Sequence, residues 1–147
     1  MNKLLRFTIS IKIEASVEAV FDYVSTGENF EEWNSAIKKI KRLTDGPKGL
    51  GSKYIMMREL PQGKVFNELE VTEFKPNKEF IIKTTSGATP FIYNYIFTSK
   101  NGVTKLTLNA EVEISGFNDM LSPIFARFIK RGVKANFQTL KNILERN

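Results

Sequence analysis

The sequence predicts an α+β domain in which a curved antiparallel sheet of about seven strands wraps a long C-terminal helix, in the order β-α-α-β6-α. Three observations carry this. The opening alternates apolar and polar residues, a long middle segment alternates repeatedly between turn signals, and the end repeats apolar residues at helical spacing. One domain is expected across residues 1–147, a common size that buries a sizeable core without disulfides.

Phe7, Ile9, Ile11 and Ile13 alternate with Thr8, Ser10 and Lys12, the period-2 pattern of a half-buried strand. Ser16 follows as a helix N-cap, and Val17, Val20, Phe21 and Val24 recur at helical spacing until Gly27 ends the pattern. A second short helix, roughly residues 28–34, carries Phe30 and Trp33 on one face.

After Ile37, Asp45-Gly46-Pro47, Pro61-Gln62-Gly63, Pro76-Asn77, Ser86-Gly87 and Asn101-Gly102 divide the chain into about six antiparallel strands ending near Ile114. Asn101-Gly102 is the strongest signal, the dipeptide of a type I′ hairpin. With those residues as the loop, Phe97 opposes Leu106, Tyr95 opposes Leu108, Tyr93 opposes Ala110 and Phe91 opposes Val112. A loop at Gln62-Gly63 pairs Leu60 with Val65, Arg58 with Asn67, Met56 with Leu69 and Tyr54 with Val71. A loop at Pro76-Asn77 sets Val71 beside Ile82 and Leu69 beside Thr84. These registers agree in parity, so one apolar face is expected to run through strands assigned independently.

Ser122-Pro123 reads as an N-cap with proline at the first helical position, opening a helix that runs to about Glu145. Phe125, Ile129, Val133, Phe137, Leu140 and Leu144 form its apolar stripe, while Arg127, Lys130, Lys134, Gln138 and Lys141 occupy other faces. At more than ~30 Å it is long enough to cross a sheet.

Composition narrows the chemistry. The chain has no cysteine and no histidine, which removes disulfides, thiolate nucleophiles, serine–histidine triads and the commonest zinc and transition-metal sites. No metal and no cofactor is expected. Twenty-two basic against sixteen acidic residues give a net charge of +6, which favours solubility and weak attraction to anions without specifying a partner. The first sixteen residues resemble a signal peptide only faintly, because Arg6 and Lys12 interrupt the apolar stretch and no small-residue cleavage site follows. No run approaches the ~20 apolar residues of a membrane span, and a cytoplasmic protein is expected.

The chain resembles the START-related helix-grip superfamily (SRPBCC), in particular its polyketide cyclase/dehydrase-like branch. The residues that carry the resemblance open with Ile9-Ser10-Ile11-Lys12-Ile13-Glu14-Ala15-Ser16-Val17-Glu18-Ala19-Val20-Phe21-Asp22. Phe30-Glu31-Glu32-Trp33 and Leu69-Glu70-Val71-Thr72-Glu73-Phe74-Lys75-Pro76 follow. Tyr93-Asn94-Tyr95-Ile96-Phe97 and the terminal Leu140-Lys141-Asn142-Ile143-Leu144-Glu145 complete it, so that the likeness covers nearly the whole chain. It implies a helix-grip fold with an internal cavity between sheet and C-terminal helix, used for lipids, polyketides, hormones or other hydrophobic molecules. It does not imply one chemistry, because the superfamily holds binders, transporters and enzymes.

Within that frame Tyr54, Met56, Leu69, Tyr93, Tyr95 and Leu108 from the strands, and Ile129, Gly132 and Val133 from the helix, are the candidate cavity lining. A glycine in mid-helix costs about 1 kcal/mol relative to alanine, so Gly132 marks either a place where a side chain would obstruct the cavity or a close contact with the sheet. Trp33 is expected to plug one end, with Asn34 reaching a ligand or capping its helix. Arg58 and Asn67 face each other on the apolar face, either at the sheet's wet rim or as an anchor for a ligand carboxylate, enolate or phosphate. Glu73 falls on the same face near the opposite turn.

Gly46-Pro47-Lys48-Gly49-Leu50-Gly51-Ser52-Lys53 nearly spells a phosphate-binding loop, but its ending is reversed and leads into a strand, so it reads as a turn. Lys38-Lys39-Ile40-Lys41-Arg42 and the helix residues Arg127, Lys130, Arg131 and Lys134 read as solvated faces, with no nucleic-acid motif. The expected partner is therefore a hydrophobic small molecule, with no specific nucleic acid, and the protein a monomer or homodimer. An enzyme of the polyketide cyclase/dehydrase kind is the alternative, in which Tyr93, Tyr95 and Arg58 donate to an enolate. A protein-interaction module, like the chaperone-activator or ribosome-associated relatives, is a third.

Overall fold

The computed structural model describes residues 4–60, 63–114 and 122–146. Among these, seven alternating segments pair into one antiparallel sheet. They are β1 (Leu4–Ile13), β2 (Ile37–Arg42), β3 (Lys53–Leu60), β4 (Gly63–Lys75), β5 (Glu79–Gly87), β6 (Phe91–Lys100) and β7 (Val103–Glu113). The spatial order is β1-β7-β6-β5-β4-β3-β2, so β1 and β7 are the one neighbouring pair not consecutive in the chain. Between β1 and β2 lie α1 (Val17–Val24), a 3-10 turn (Gly27–Asn29) and α2 (Phe30–Trp33); α3 (Ser122–Leu144) follows β7. This is the helix-grip arrangement.

Local chemistry fixes the short helices. Ser16 Oγ accepts the Ala19 N–H at 3.1 Å and caps α1. Phe21 then stands edge-on to Phe74 and Phe97, with ring centroids at 5.2 and 5.0 Å, and closes one end of the sheet. α1 ends at Val24, and Gly27, which opens the 3-10 turn, is required for a tertiary reason: the Tyr54 ring occupies the space a Cβ would need. Lys48 Nζ donates to Asp22 O at 2.7 Å, Asp22 Oδ1 at 2.8 Å and Thr26 Oγ1 at 2.6 Å. The lysine of the glycine-rich loop is thus bound at the C-terminal end of α1, where a cation is favoured.

The β6–β7 hairpin has the register read from Asn101-Gly102, with Phe97 opposite Leu106, Tyr95 opposite Leu108, Tyr93 opposite Ala110 and Phe91 opposite Val112. The β3–β4 pairing differs. Leu60 pairs with Gly63, Arg58 with Val65, Met56 with Asn67 and Tyr54 with Leu69, two residues from the pairing that a Gln62-Gly63 loop requires. Gly63 belongs to the ladder, at φ 127°, and is not a loop residue; Pro61 and Gln62 lie outside the described residues. Because the side-chain period is 2, a slip of two leaves every residue on its own face.

Val71 does lie opposite Ile82 and Leu69 opposite Thr84, although the β4–β5 ladder closes on Lys75 and Glu79 and leaves three residues in the turn. A β-bulge between Val71 and Glu73 absorbs the extra residue. The bulge also reverses the parity beyond it, so Phe74 turns inward, with its ring centroid 6.3 Å from that of Phe80. Glu73 therefore leaves the apolar face on which unbroken alternation places it, and its Oε1 accepts the Phe74 N–H at 3.2 Å.

Along α3 the apolar stripe is buried unequally. Phe137 and Leu140 are 1% and 0% exposed, whereas Phe125, Ile129 and Val133 of the same stripe are half-buried. The helix begins at Ser122 itself, and the residue that would cap it lies outside the described residues. Its far end is tied to β1: Lys141 Nζ donates to Lys12 O at 2.7 Å and Glu145 Oε2 accepts the Glu14 N–H at 2.7 Å. These two bonds occupy backbone groups of an edge strand. The stripe is thus fully buried at the C-terminal half of the helix and only partly buried at its N-terminal half.

Candidate functional site

A cavity of about 340 Å³ lies between α3 and the sheet. That volume is at the lower end of the ~300–1,000 Å³ range of small-molecule sites. Met56, Phe91, Tyr93 and Val112 form the sheet wall, and Phe125, Ile129, Gly132 and Val133 the helix wall. Polar groups converge from Asn34, Ser35, Arg58, Thr89 and Asn136, and two carboxylates, Glu59 and Glu113, also line it. A smaller space of about 20 Å³ shares Asn34, Met56, Phe91 and Tyr93 with it and adds Trp33, Leu69 and Tyr95. That is room for one water-sized group. Trp33 Nε1 is buried there without a hydrogen-bond partner among the described residues, an unsatisfied donor at the closed end.

Arg58 is the one cationic side chain lining the cavity among the described residues. Its Nε and Nη2 both donate to Asn67 Oδ1, at 3.2 and 2.7 Å. Nη2 also donates to Ala88 O at 3.1 Å and Thr89 Oγ1 at 2.6 Å, and the guanidinium lies 5.5 Å from the Phe91 ring centroid. Nη1 makes no hydrogen bond to any described residue. Burial lowers the Arg58 pKa from its ordinary value, an effect the Tyr93 phenol partly opposes. Burial likewise raises Tyr93, with Arg58 acting in the opposite direction. Burial raises Tyr95 further, with the neighbouring Tyr93 adding to it, so both phenols remain protonated donors near neutrality.

The β5–β6 connection exists in a form that serves this arginine. Gly87 sits at φ 102°, and a Cβ there would overlap Phe66 O, so the backbone passes directly over Asn67. Thr89 is held at φ 50°, a strained conformation for a β-branched residue, with its hydroxyl accepting from Arg58. Asn67, itself buried, donates from Nδ2 to Ser86 O at 3.2 Å and Ala88 O at 2.8 Å.

Of the residues singled out in the sequence, Asn34, Met56, Arg58, Tyr93, Ile129, Gly132 and Val133 line the larger space. Trp33, Leu69 and Tyr95 line the smaller. Tyr54, Asn67 and Leu108 line neither. Tyr54 lies against Gly27, Leu108 is fully buried on β7, and Asn67 reaches the cavity only through Arg58. At Gly132 a Cβ would meet nothing within 4 Å, so a close helix–sheet contact does not account for the glycine.

Sequence reasoning missed Asn136 and Thr89. Asn136 is buried and its Oδ1 accepts Ser35 N–H at 3.1 Å and Ser35 Oγ at 3.3 Å, joining α3 to the end of α2. A signal was available, since Asn136 follows Ile129 by seven residues and Val133 by three on the apolar stripe. Thr89 carried none, because its role depends on the Gly87 turn.

Among the described residues no group of three or more carboxylates is arranged to hold a metal ion, and no helix is long and apolar enough to cross a membrane. The chain matches a family model described as polyketide cyclase / dehydrase and lipid transport over residues 5–145. No curated protein matches it. A START superfamily protein from Mycobacterium smegmatis superposes with a TM-score of 0.80 at 16% identity, covering 95% of this chain and 97% of that one. A protein from Thermus thermophilus gives 0.80 at 14% identity, with 94% and 95% covered. The Zhui aromatase/cyclase from a Streptomyces species gives 0.78 at 11% identity, with 98% and 95% covered. At such identities these likenesses bear on the fold alone.

Proposed function

This chain belongs to the polyketide cyclase / dehydrase and lipid transport family, and from that premise we propose that it binds a hydrophobic small molecule in the cavity between α3 and the sheet. The observation that carries the reading is the unequal burial of α3. An apolar stripe fully buried at Phe137 and Leu140 but only partly buried at Phe125, Ile129 and Val133 turns the latter three toward an apolar-walled space of about 340 Å³. Hydrophobic burial of a ligand there supplies affinity at roughly 25 cal/mol per Å² of apolar surface, before the costs of association. Arg58, Asn34, Tyr93 and Asn136 provide the few polar contacts that orient a ligand. The experiment is titration with the neutral fluorophore N-phenylnaphthylamine. One saturable site, lost in Gly132→Leu, is expected; a folded protein with no saturable binding overturns the reading.

A cyclase/dehydrase activity is the second reading, favoured by the Arg58 and Tyr93 donors that line one wall together. Holding a polyketone chain with its enolate oxygen at these donors lowers a ring-closure barrier by proximity and charge stabilisation. Turnover of a linear polyketone, lost on replacing Arg58, is the test, and binding without turnover retires it.

A further inference from the structure

We infer that the ligand is a monoanionic amphiphile, an apolar body carrying one carboxylate, whose head is held by Arg58 Nη1 and the Tyr93 hydroxyl. This rests on the reading of the cavity as a ligand site. Arg58 is half-buried on the cavity wall, yet no described carboxylate stands within ion-pair distance of it. Its neighbours are instead neutral oxygens: the Asn67 amide, the Ala88 carbonyl and the Thr89 hydroxyl. Such oxygens fix the guanidinium in position without cancelling its charge. An arginine placed for stability alone gains most from a carboxylate, which forms stronger, charge-assisted bonds. Here the charge is left for something else.

The unused donors define the head group. Nε and Nη2 are occupied, which leaves the two N–H bonds of Nη1. The Tyr93 hydroxyl has no hydrogen-bond partner among the described residues, and the Tyr93 ring centroid lies 4.4 Å from that of Phe91, over which the Arg58 guanidinium stands at 5.5 Å. Three donors beside one positive charge suit a singly charged group with two oxygens. A phosphate dianion is disfavoured, because its second charge finds no further cation among the described residues that line the space. From Phe91, under the guanidinium, an apolar wall continues through Val112 across to Ile129 and Val133, with the exposed Phe128 also lining the space. That is a path for an alkyl or aromatic body.

The test compares three probes of equal chain length, dodecanoate, dodecanol and dodecyltrimethylammonium, below their aggregation concentrations. Trp33 is the chain's one tryptophan and lines the inner space, so its fluorescence reports binding. Dodecanoate is expected to bind at least about tenfold tighter than dodecanol, the scale of one hydrogen-bonded charge, and the cation weakest. In Arg58→Gln the ratio of dodecanoate to dodecanol affinity falls to about one. Asn67→Asp gives the same loss of ratio while keeping the arginine, by supplying an internal carboxylate. Equal wild-type affinity for acid and alcohol, each competing with N-phenylnaphthylamine, overturns the carboxylate assignment and leaves the cavity reading intact. Absence of binding by all three and by N-phenylnaphthylamine overturns both.

Discussion

Arg58 places two of its nitrogens on a single acceptor, Asn67 Oδ1, from the diagonal and not from the directly opposed position. The cross-strand partner of Arg58 is Val65, and that of Asn67 is Met56. Asn67 in turn is pinned by Ser86 O and Ala88 O under Gly87. Asn67 is a positioning residue, and substituting it separates stability from charge. Asn67→Ala removes the acceptor for a half-buried cation and is expected to cost about 1.5–3 kcal/mol in urea denaturation. Asn67→Asp keeps the acceptor and pairs the guanidinium but loses the two Nδ2 donations to Ser86 O and Ala88 O, so it is expected to cost less than Asn67→Ala without matching the wild type. Equal losses in both variants would mean that Arg58 does not depend on this oxygen.

Gly132→Leu is expected to leave stability unchanged or raised by about 0.8 kcal/mol, the helix propensity difference, because its Cβ meets no atom within 4 Å. The same substitution places a branched side chain in the cavity and removes ligand binding. Thermal denaturation read beside N-phenylnaphthylamine binding decides it. A loss of more than about 1 kcal/mol is the signature of overpacking and contradicts an open space.

Gly27→Ala is expected to behave oppositely. Its Cβ would enter the Tyr54 ring, which is fully buried and cannot swing aside, so a cost of about 1–3 kcal/mol is expected. Shortening the ring in Tyr54→Leu should relieve part of it. Additive losses in the double variant would place the strain elsewhere.

Tyr93→Phe deletes a hydroxyl without a partner among the described residues, so stability is expected to change by less than about 0.5 kcal/mol. Binding of dodecanoate weakens by the worth of one hydrogen bond, about 0.5–1.5 kcal/mol, or roughly two- to twelvefold. Calorimetric titration of wild type and variant measures it. An unchanged affinity removes Tyr93 from the head-group contact.

Glu145 gives a pH dependence. The Glu14 N–H and then Lys141 hold its carboxyl below the ordinary value in the folded protein. A depressed folded pKa contributes stability above the unfolded pKa and loses it as pH falls through the folded one. Glu145→Gln is therefore expected to lower the denaturation midpoint near pH 7, with the difference from wild type closing in acid below about pH 4. A gap that persists at low pH would assign the contribution to packing.

The sequence alone determined the element order, the β6–β7 register and the apolar face. Phe91, Tyr93, Tyr95 and Phe97 fall on one side of a strand whatever its neighbours do, because alternation is local and the Asn101-Gly102 turn fixes the pairing. Parity also survived the misplaced turn before Gly63, since a slip of two returns every side chain to its face. Arg58 was legible as a charge on an apolar face for the same reason. What tertiary structure decided were distances that no periodicity encodes. The bulge after Val71 traded Glu73 for Phe74 inside, and the Tyr54 ring, not a helix-stop preference, required Gly27. The stripe of α3 reads as continuous from Phe125 to Leu144, yet it is fully buried at Phe137, whose ring has those of Trp33 and Tyr95 within 6.5 Å, and at Leu140, and only partly buried at Phe125, Ile129 and Val133. Where the sheet curves away from a straight helix, the same apolar residues become a cavity wall. Periodicity records which face a residue takes; how far the opposite surface stands from it is set by curvature and by the plug at one end.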